Sequence, residues 1–265
     1  MDNRAIGVFD SGYGGLTAVK ALRRLMPSEN IIYFGDSARA PYGPRPAKEL
    51  KLMAKQDMQL LLDRDVKAIL AACGTVSSNA ADELENSQVK VIGVLKAAVE
   101  KMSSFPKAGP LAVIATQASI KSGAFEAELK KLCPDREIIC LACPGFVPMI
   151  ESGHYLPDDS VVKETVSAEL QPLIEKKPCA LLLGCTHFGL IGEAIKAFLG
   201  DVELVSASEC AALQMQKYIV ENDLCGTGGT LSCLTSGEAE AFRQSAAIFL
   251  GNENVQAEKV PVMEV

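Results

Sequence analysis

Short apolar runs alternate with longer stretches in which apolar residues return every three or four positions, a pattern that predicts a parallel α/β architecture. Ile6 to Phe9, Ile31 to Phe34, Ala68 to Ala72 and Val89 to Val94 read as strands, and Leu16 to Leu25 and Lys48 to Leu62 read as amphipathic helices between them. Asp82 falls in a third helical stretch. The rhythm then restarts with Leu111 to Ala115, Glu137 to Ala142, Ala180 to Leu183 and Val202 to Val205, again separated by amphipathic stretches. From about Cys210 a tail follows: a helical pattern, a Gly226-Thr-Gly-Gly229 turn, a short apolar run and a last helix near Glu238 to Leu250. This tail is expected to return to the first half.

The second half repeats the first. Val113 to Thr116 answers Val8 to Ser11 at an offset of 105 residues, Ile138 to Cys143 answers Ile31 to Asp36 at 107, and Cys185 answers Cys73 at 112. Within the last pair, Ile-Leu-Ala-Ala-Cys73-Gly-Thr75 and Leu-Leu-Leu-Gly-Cys185-Thr186-His187 share a hydrophobic strand that ends in a cysteine and a threonine. The expected fold is therefore α/β, with two similar pseudo-symmetric domains, each a mainly parallel sheet flanked by helices, facing each other across a cleft. Residues 1–96 with 208–265 form the first expected domain and 97–207 the second. Ligands of open parallel sheets bind outside the carboxyl ends of the strands, which would set Cys73 and Cys185 on opposite walls of one cleft.

Composition narrows the function. A chain of 265 residues with 48% hydrophobic and 22% charged residues can build a real core. Its net charge of −7 and pI near 5.1 argue against a nucleic-acid partner. The opening Met1-Asp2-Asn3-Arg4 lacks the form of a signal peptide, and no apolar stretch is long enough to span a bilayer, so the expectation is a cytoplasmic protein without a membrane partner. Nine cysteines then read as reduced thiols. Cys133, Cys179, Cys210, Cys225 and Cys233 read as small buried hydrophobes. Cys140-Leu-Ala-Cys143 has redox or zinc spacing but no second ligand pair, and is read as core and strand end.

Five strand ends carry small polar groups: Asp10-Ser11, Asp36 with Pro41-Tyr42-Gly43, Cys73-Gly74-Thr75, Ser119 and Cys185-Thr186-His187. A cysteine between a strand and a helix N-terminus is expected to have its pKa lowered below the free value of ~8.5. One such cysteine would suggest covalent catalysis, with His187 as activating base. Two at matched positions suit a different task, inversion of a stereocentre, in which one group removes a proton from one face and its equivalent delivers one to the other. The developing carbanion needs oriented donors, which the Ser11, Thr75 and Thr186 hydroxyls and nearby amides could supply. Helix N-termini bind carboxylates without lysine or arginine. Asp10 is weighed between a proton-handling role and a helix cap, and Glu151 between a cleft residue and a helix-end carboxylate. His187 adjoins Cys185-Thr186, whereas His154 sits in a polar turn and reads as surface.

Competing motifs are weak. Gly12-Tyr-Gly14-Gly15-Leu-Thr17 imitates a dinucleotide loop but has Thr17 where the third glycine belongs. Two histidines make no convincing metal cluster, and Lys96 and Lys121, which follow strand-like runs, read as surface lysines rather than Schiff-base formers. No cofactor and no metal are expected.

Taken as a set, Asp10-Ser-Gly-Tyr-Gly-Gly15, Gly35-Asp36 with Pro41-Tyr-Gly43, Cys73-x-Thr75 and Gly184-Cys-Thr-His187 resemble glutamate racemase, within the aspartate/glutamate racemase superfamily. Thr116 with Ser119-Ile-Lys-Ser122, and Phe146-Val-Pro148 running into Glu151-Ser-Gly153, support the resemblance, which covers about residues 5 to 220. It implies two facing α/β domains, no pyridoxal phosphate or metal, a homodimer, and interconversion of L- and D-glutamate for peptidoglycan. By position it implies Cys73 and Cys185 as paired acid and base, with Asp10, Glu151 and His187 as supporting groups. Ser11, Pro41, Tyr42, Gly43, Gly74, Thr75, Ser119 and Thr186 fall where the family holds the substrate.

Three departures surround the cleft. The family usually reads Cys-Asn-Thr at the first cysteine, where this chain has Gly74. It reads Thr-His-Tyr-Pro-Leu after the second, where this chain has Thr186-His187-Phe188-Gly189-Leu190. It often carries proline soon after Gly93-Val94, where this chain reads Leu95-Lys96-Ala97-Ala98. These changes bear on substrate choice, so a racemase of aspartate or another amino acid is the neighbouring reading. A cysteine hydrolase or lyase with one nucleophilic thiol, and a binding protein without turnover, are the readings from other classes.

Overall fold

The computed structural model describes residues 1–251 and 255–263, so residues 252–254 and 264–265 of the expected first domain lie outside the described residues. The first half runs β1 (Ile6–Asp10), α1 (Leu16–Leu25), β2 (Ile31–Gly35), α2 (Ala47–Leu62), β3 (Ala68–Ala71), α3 (Gly74–Asn79), α4 (Ala81–Glu85), β4 (Lys90–Gly93) and α5 (Val94–Ser103). The second half runs β5 (Leu111–Ala115), α6 (Gln117–Lys121), α7 (Ala124–Leu132), β6 (Ile138–Ala142), α8 (Phe146–Glu151), α9 (Ser160–Lys176) and β7 (Ala180–Leu183). A 3-10 turn (Thr186–Ile191), α10 (Gly192–Leu199) and β8 (Glu203–Ser206) complete it. The tail adds α11 (Ala207–Glu221), β9 (Leu231–Thr235), α12 (Ala239–Leu250) and β10 (Ala257–Lys259).

Two parallel sheets result. The first has strand order β10-β9-β2-β1-β3-β4 and the second β6-β5-β7-β8. The order β2-β1-β3-β4 recurs as β6-β5-β7-β8, which is the repeat read from the sequence offsets. The tail does return: β9 pairs with β2, Tyr33 lying opposite Cys233, and β10 extends that edge. Beyond the sequence reading are β10 and a break at Ala80, which splits the expected third helix into α3 and α4, with Asp82 in the latter. Ser78 and Asn79 side chains bond the Gly74 and Thr75 carbonyls, an alternative to helix continuation.

Alternation along the strands explains how one sheet serves two layers. Ile6 and Val8 of β1, with Leu70 of β3, face a core shared with α1, α5, α11 and the second sheet. Phe9, Phe34, Ile69 and Ala71 point the other way onto α2. All five residues of β1 and of β5 are buried, as expected for central strands covered on both faces. In each sheet the chain crosses from one side of its central strand to the other, so β1 and β3, and likewise β5 and β7, border a topological switch point. Loops at such points splay apart and leave a crevice.

Candidate active site

Both crevices open into one cavity of about 500 Å³. β1 ends at Asp10 and Ser11, β3 leads into Cys73, Gly74 and Thr75, and β7 leads into Cys185, Thr186 and His187, all of which line it. The loop after β2 brings in Pro41, Tyr42 and Gly43, and α8 delivers Glu151. Ser119 is held back from this wall. It is fully buried behind Thr116, whose hydroxyl pairs with the Ser119 hydroxyl at 2.9 Å and takes the lining position.

The two thiols have different company. The Cys73 thiol donates to the Ser11 hydroxyl at 3.6 Å, and Asp10 lies on the same wall, fully buried. The Gly12 amide donates to Asp10 Oδ2 at 3.1 Å, while Oδ1 has no partner among the described residues. Burial raises the Asp10 pKa, opposed by the nearby His187 charge and by backbone amides. Cys73 is pushed up to about 12, first by burial and then by the Asp10 carboxylate, against a weaker lowering by the Val76 amide. The expected lowering by a helix N-terminus is thus overturned at Cys73. Desolvation of a thiolate outweighs one amide of a helix that is only six residues long.

Across the cavity, Cys185 Sγ lies 3.9 Å from His187 Nδ1, and His187 Nε2 lies 3.0 Å from Glu151 Oε1. Burial works against a charged ring, but Cys185 and Glu151 outweigh it and raise His187 to about 10. The ring also packs edge-on against Phe249 of α12, with centroids 5.3 Å apart. Glu151 keeps solvent contact, its side chain 41% exposed.

Direct contacts tie the walls together. The Thr75 and Thr116 hydroxyls meet at 2.9 Å, and the Thr17 hydroxyl donates to the Thr186 carbonyl at 3.4 Å. Gly14 allows close approach on the β1 side: a Cβ there would fall 2.3 Å from Thr186 Oγ1 and 2.4 Å from His187 Nδ1.

A buried ionic network anchors the Pro41-Tyr42-Gly43 loop. Arg39 Nε donates to Asp36 Oδ2 at 2.6 Å and Arg39 Nη2 to Asp57 Oδ1 at 2.8 Å. The Tyr42 hydroxyl donates to Asp57 Oδ2 at 2.9 Å and contacts Asp36, and the Ser236 hydroxyl donates to Asp36 at 2.7 Å. One guanidinium facing two buried carboxylates cannot neutralise both, and burial together with Asp36 pushes the Asp57 carboxyl well up. Tyr42 therefore stands at the cavity wall with its hydroxyl already committed to Asp36 and Asp57.

Several lining residues escaped the sequence reading. Cys143, read as core, lies in the wall next to Pro144. The offset of 107 that relates β6 to β2 pairs Cys143 with Asp36, a signal that was present in the sequence. Thr116 was visible only as part of a motif, and Phe249 had no local signal. The remaining lining is mixed in polarity and includes Val147 and Pro148. No lysine or arginine is among the described lining residues. Among the described residues no group of three or more His, Cys, Asp or Glu side chains could hold a metal ion, and no helix is long and apolar enough to cross a membrane. His154 is half-buried and bonded to Asp159, away from the cavity lining. Lys96 is an exposed partner of Glu85, and Lys121 is exposed.

Comparison with known proteins places these features. The sequence profile described as "Asp/Glu/Hydantoin racemase" matches residues 17–215. The chain is 36% identical over 256 residues to glutamate racemase 2 of Caldanaerobacter subterraneus subsp. tengcongensis, covering 96% of each chain. It is 42% identical over 213 residues to the glutamate racemase of Streptococcus mutans, covering 79% of this chain and 80% of that one. Its structure is similar to that of glutamate racemase from Francisella tularensis subsp. tularensis in complex with D-glutamate, with a TM-score of 0.91, 37% identity and 98% of each chain covered.

Proposed function

The chain belongs to the Asp/Glu/hydantoin racemase family, and from that premise we propose that it is a glutamate racemase, an isomerase that interconverts L- and D-glutamate by a two-thiol acid/base mechanism. The observation that carries the mechanism is the placement of Cys73 and Cys185 at equivalent strand ends on facing walls of one cavity. One thiolate takes the α-proton and becomes a thiol, while the opposing thiol protonates the other face and becomes a thiolate. The reverse reaction exchanges the roles.

The supporting groups differ by wall. Asp10, with an unpartnered buried oxygen, and Ser11 serve Cys73. Asp10 Oδ1 is placed to accept from the substrate ammonium, and the arriving positive charge would draw the Cys73 pKa down from its high resting value. His187, held by Glu151, serves Cys185 as the neighbouring proton partner 3.9 Å from its sulfur. The Thr75 and Thr186 hydroxyls, with amides of the Gly-rich loops including Gly43 and Gly74, hold the substrate carboxylates, which suits a cavity without basic side chains. Pro41 and Tyr42 contribute to the wall. The reaction so written needs no metal or organic cofactor, because both proton positions are side chains of the chain itself.

The same reading includes a cytoplasmic homodimer that supplies D-glutamate for peptidoglycan. It also includes a division into domains of residues 1–96 with 208–265 and 97–207, supported by the way the two sheets fall on either side of it. Chiral analysis of purified protein incubated separately with L-glutamate, D-glutamate and L-aspartate, with nothing added, tests the function. Each glutamate enantiomer should approach the racemate. Turnover of aspartate alone would shift the substrate, and inversion of none of the three would remove the reading.

A further inference from the structure

The segment that leads into Pro41, Tyr42 and Gly43 is held from behind by the returning tail. β9 pairs with β2 as far as Thr235 opposite Gly35, and the Ser236 amide then donates to the Gly35 carbonyl at 3.2 Å. The buried Ser236 side chain uses both capacities of a hydroxyl: it donates to Asp36 Oδ1 at 2.7 Å and accepts from the Ala38 amide at 2.9 Å. Beside it the Thr235 and Ser37 hydroxyls meet at 2.8 Å, and Arg39 Nη1 donates to the Met263 carbonyl at 3.2 Å. A Cβ on Gly237 would fall 2.4 Å from Ser37 Oγ, so the tail runs directly against this turn. Asp36, Ser37, Ala38 and Arg39 are therefore each tied to the tail, immediately before the loop that enters the cavity lining. The thiols follow β3 and β7, apart from these bonds. All of the tail residues involved lie beyond residue 215, where the match to the family profile ends.

We infer that Ser236 is a positioning residue for substrate binding: by joining Asp36 and Ala38 through one hydroxyl, it fixes the turn from which the Pro41-Tyr42-Gly43 wall of the cavity projects. The inference rests on the reading above of that wall as part of the substrate site. Asp36 is fully buried, and both Arg39 Nε and the Tyr42 hydroxyl bond its Oδ2, which leaves Ser236 to hold Oδ1. Without the hydroxyl, a buried carboxylate oxygen and the Ala38 amide both lose this partner. The turn must then shift to find others, and Tyr42, bonded to the same carboxylate, moves with it. A displaced wall weakens contacts made to the substrate and to the transition state alike, so KM rises while proton transfer at the thiols persists. The hydroxyl carries this role rather than the bulk of the side chain, so threonine should restore what alanine removes.

The test measures kcat and KM for D- and L-glutamate in wild type, S236A, S236C and S236T, together with the rise in Tm that a fixed concentration of D-glutamate produces. In S236A, KM should rise about 10-fold for both enantiomers while kcat changes less than about 3-fold. The D-glutamate-induced rise in Tm should shrink in parallel, which reports binding without turnover. S236C keeps the side-chain volume with a weaker donor, and it should move in the same direction should S236A fold poorly. S236T should return KM toward the wild-type value. T230A is the control, because it removes a hydroxyl bond to Asn30 at the opposite end of β9, away from the cavity, and should leave KM unchanged. Wild-type KM in S236A and S236C would overturn the inference alone, as would a KM raised equally in S236T or in T230A. Absence of glutamate racemisation in the wild type would overturn the functional reading and this inference with it.

Discussion

The walls of the cavity are built from the same strand order, yet they carry different chemistry. On the β1–β3 side Cys73 is paired with a hydroxyl and a buried carboxyl, and burial holds it as a thiol. On the β5–β7 side Cys185 sits beside a histidine that Glu151 and the thiol together hold in its charged form. The difference teaches that a duplicated scaffold supplies matched positions but not matched surroundings. A pair of groups that must exchange acid and base roles is therefore served by different neighbours on its two walls.

Removing either thiol should break the comparison altogether. C73A and C185A should each lower racemisation on the order of 10³-fold or more while the fold survives, as read by circular dichroism and kcat/KM. A variant that keeps most of its activity would mark its wall as dispensable and favour a single nucleophile. Next in size, H187N should cost about 10²-fold in kcat/KM, because the ring is buried and serves Cys185 directly. The equilibrium constant between enantiomers is unity, so this loss must be equal in both directions. Its one-sidedness should appear in the α-deuterium isotope effect, which should grow more for the enantiomer whose proton Cys185 removes.

Smaller effects sharpen the picture. E151Q should cost about 10-fold or less, since its exposed carboxylate acts on the ring through a solvent-screened contact. Stability should report the charged histidine independently of turnover. His187 is raised from 6.5 to about 10 in the folded chain, so the native state holds more protons between those values. Its contribution is complete below pH 6.5 and is lost as the pH rises to about 10. The Tm of wild type should fall across that window more steeply than that of H187N. Equal slopes would contradict a charged ring.

Much of this was legible from the chain. The boundaries of α1, the central strands and the repeat follow from local hydrophobic periodicity, and the two cysteines stand where that periodicity ends, so their shared cleft follows from parallel-sheet topology. What was not legible depends on depth and on distant partners. The Cys73 pKa moves opposite to the local expectation because burial and Asp10, neither visible around residue 73, dominate. Phe249 reaches His187 from the returning tail, and Thr116 displaces Ser119 from the wall by a hydroxyl contact that no spacing rule encodes. Gly74 reads in the sequence as a departure from the family's asparagine, and in the structure it abuts the Gly184 carbonyl of the other sheet.

The most direct test of paired thiols on opposite walls is the isotope content of both enantiomers early in the wild-type reaction, starting from either D- or L-glutamate in deuterated buffer. The account predicts that product forms with one α-deuterium while the remaining substrate stays protiated, from both starting enantiomers, because each proton leaves to one thiol and its replacement arrives from the other. Deuterium appearing in substrate as fast as in product, or product retaining the original proton, would mean that one group serves both faces, and would contradict it.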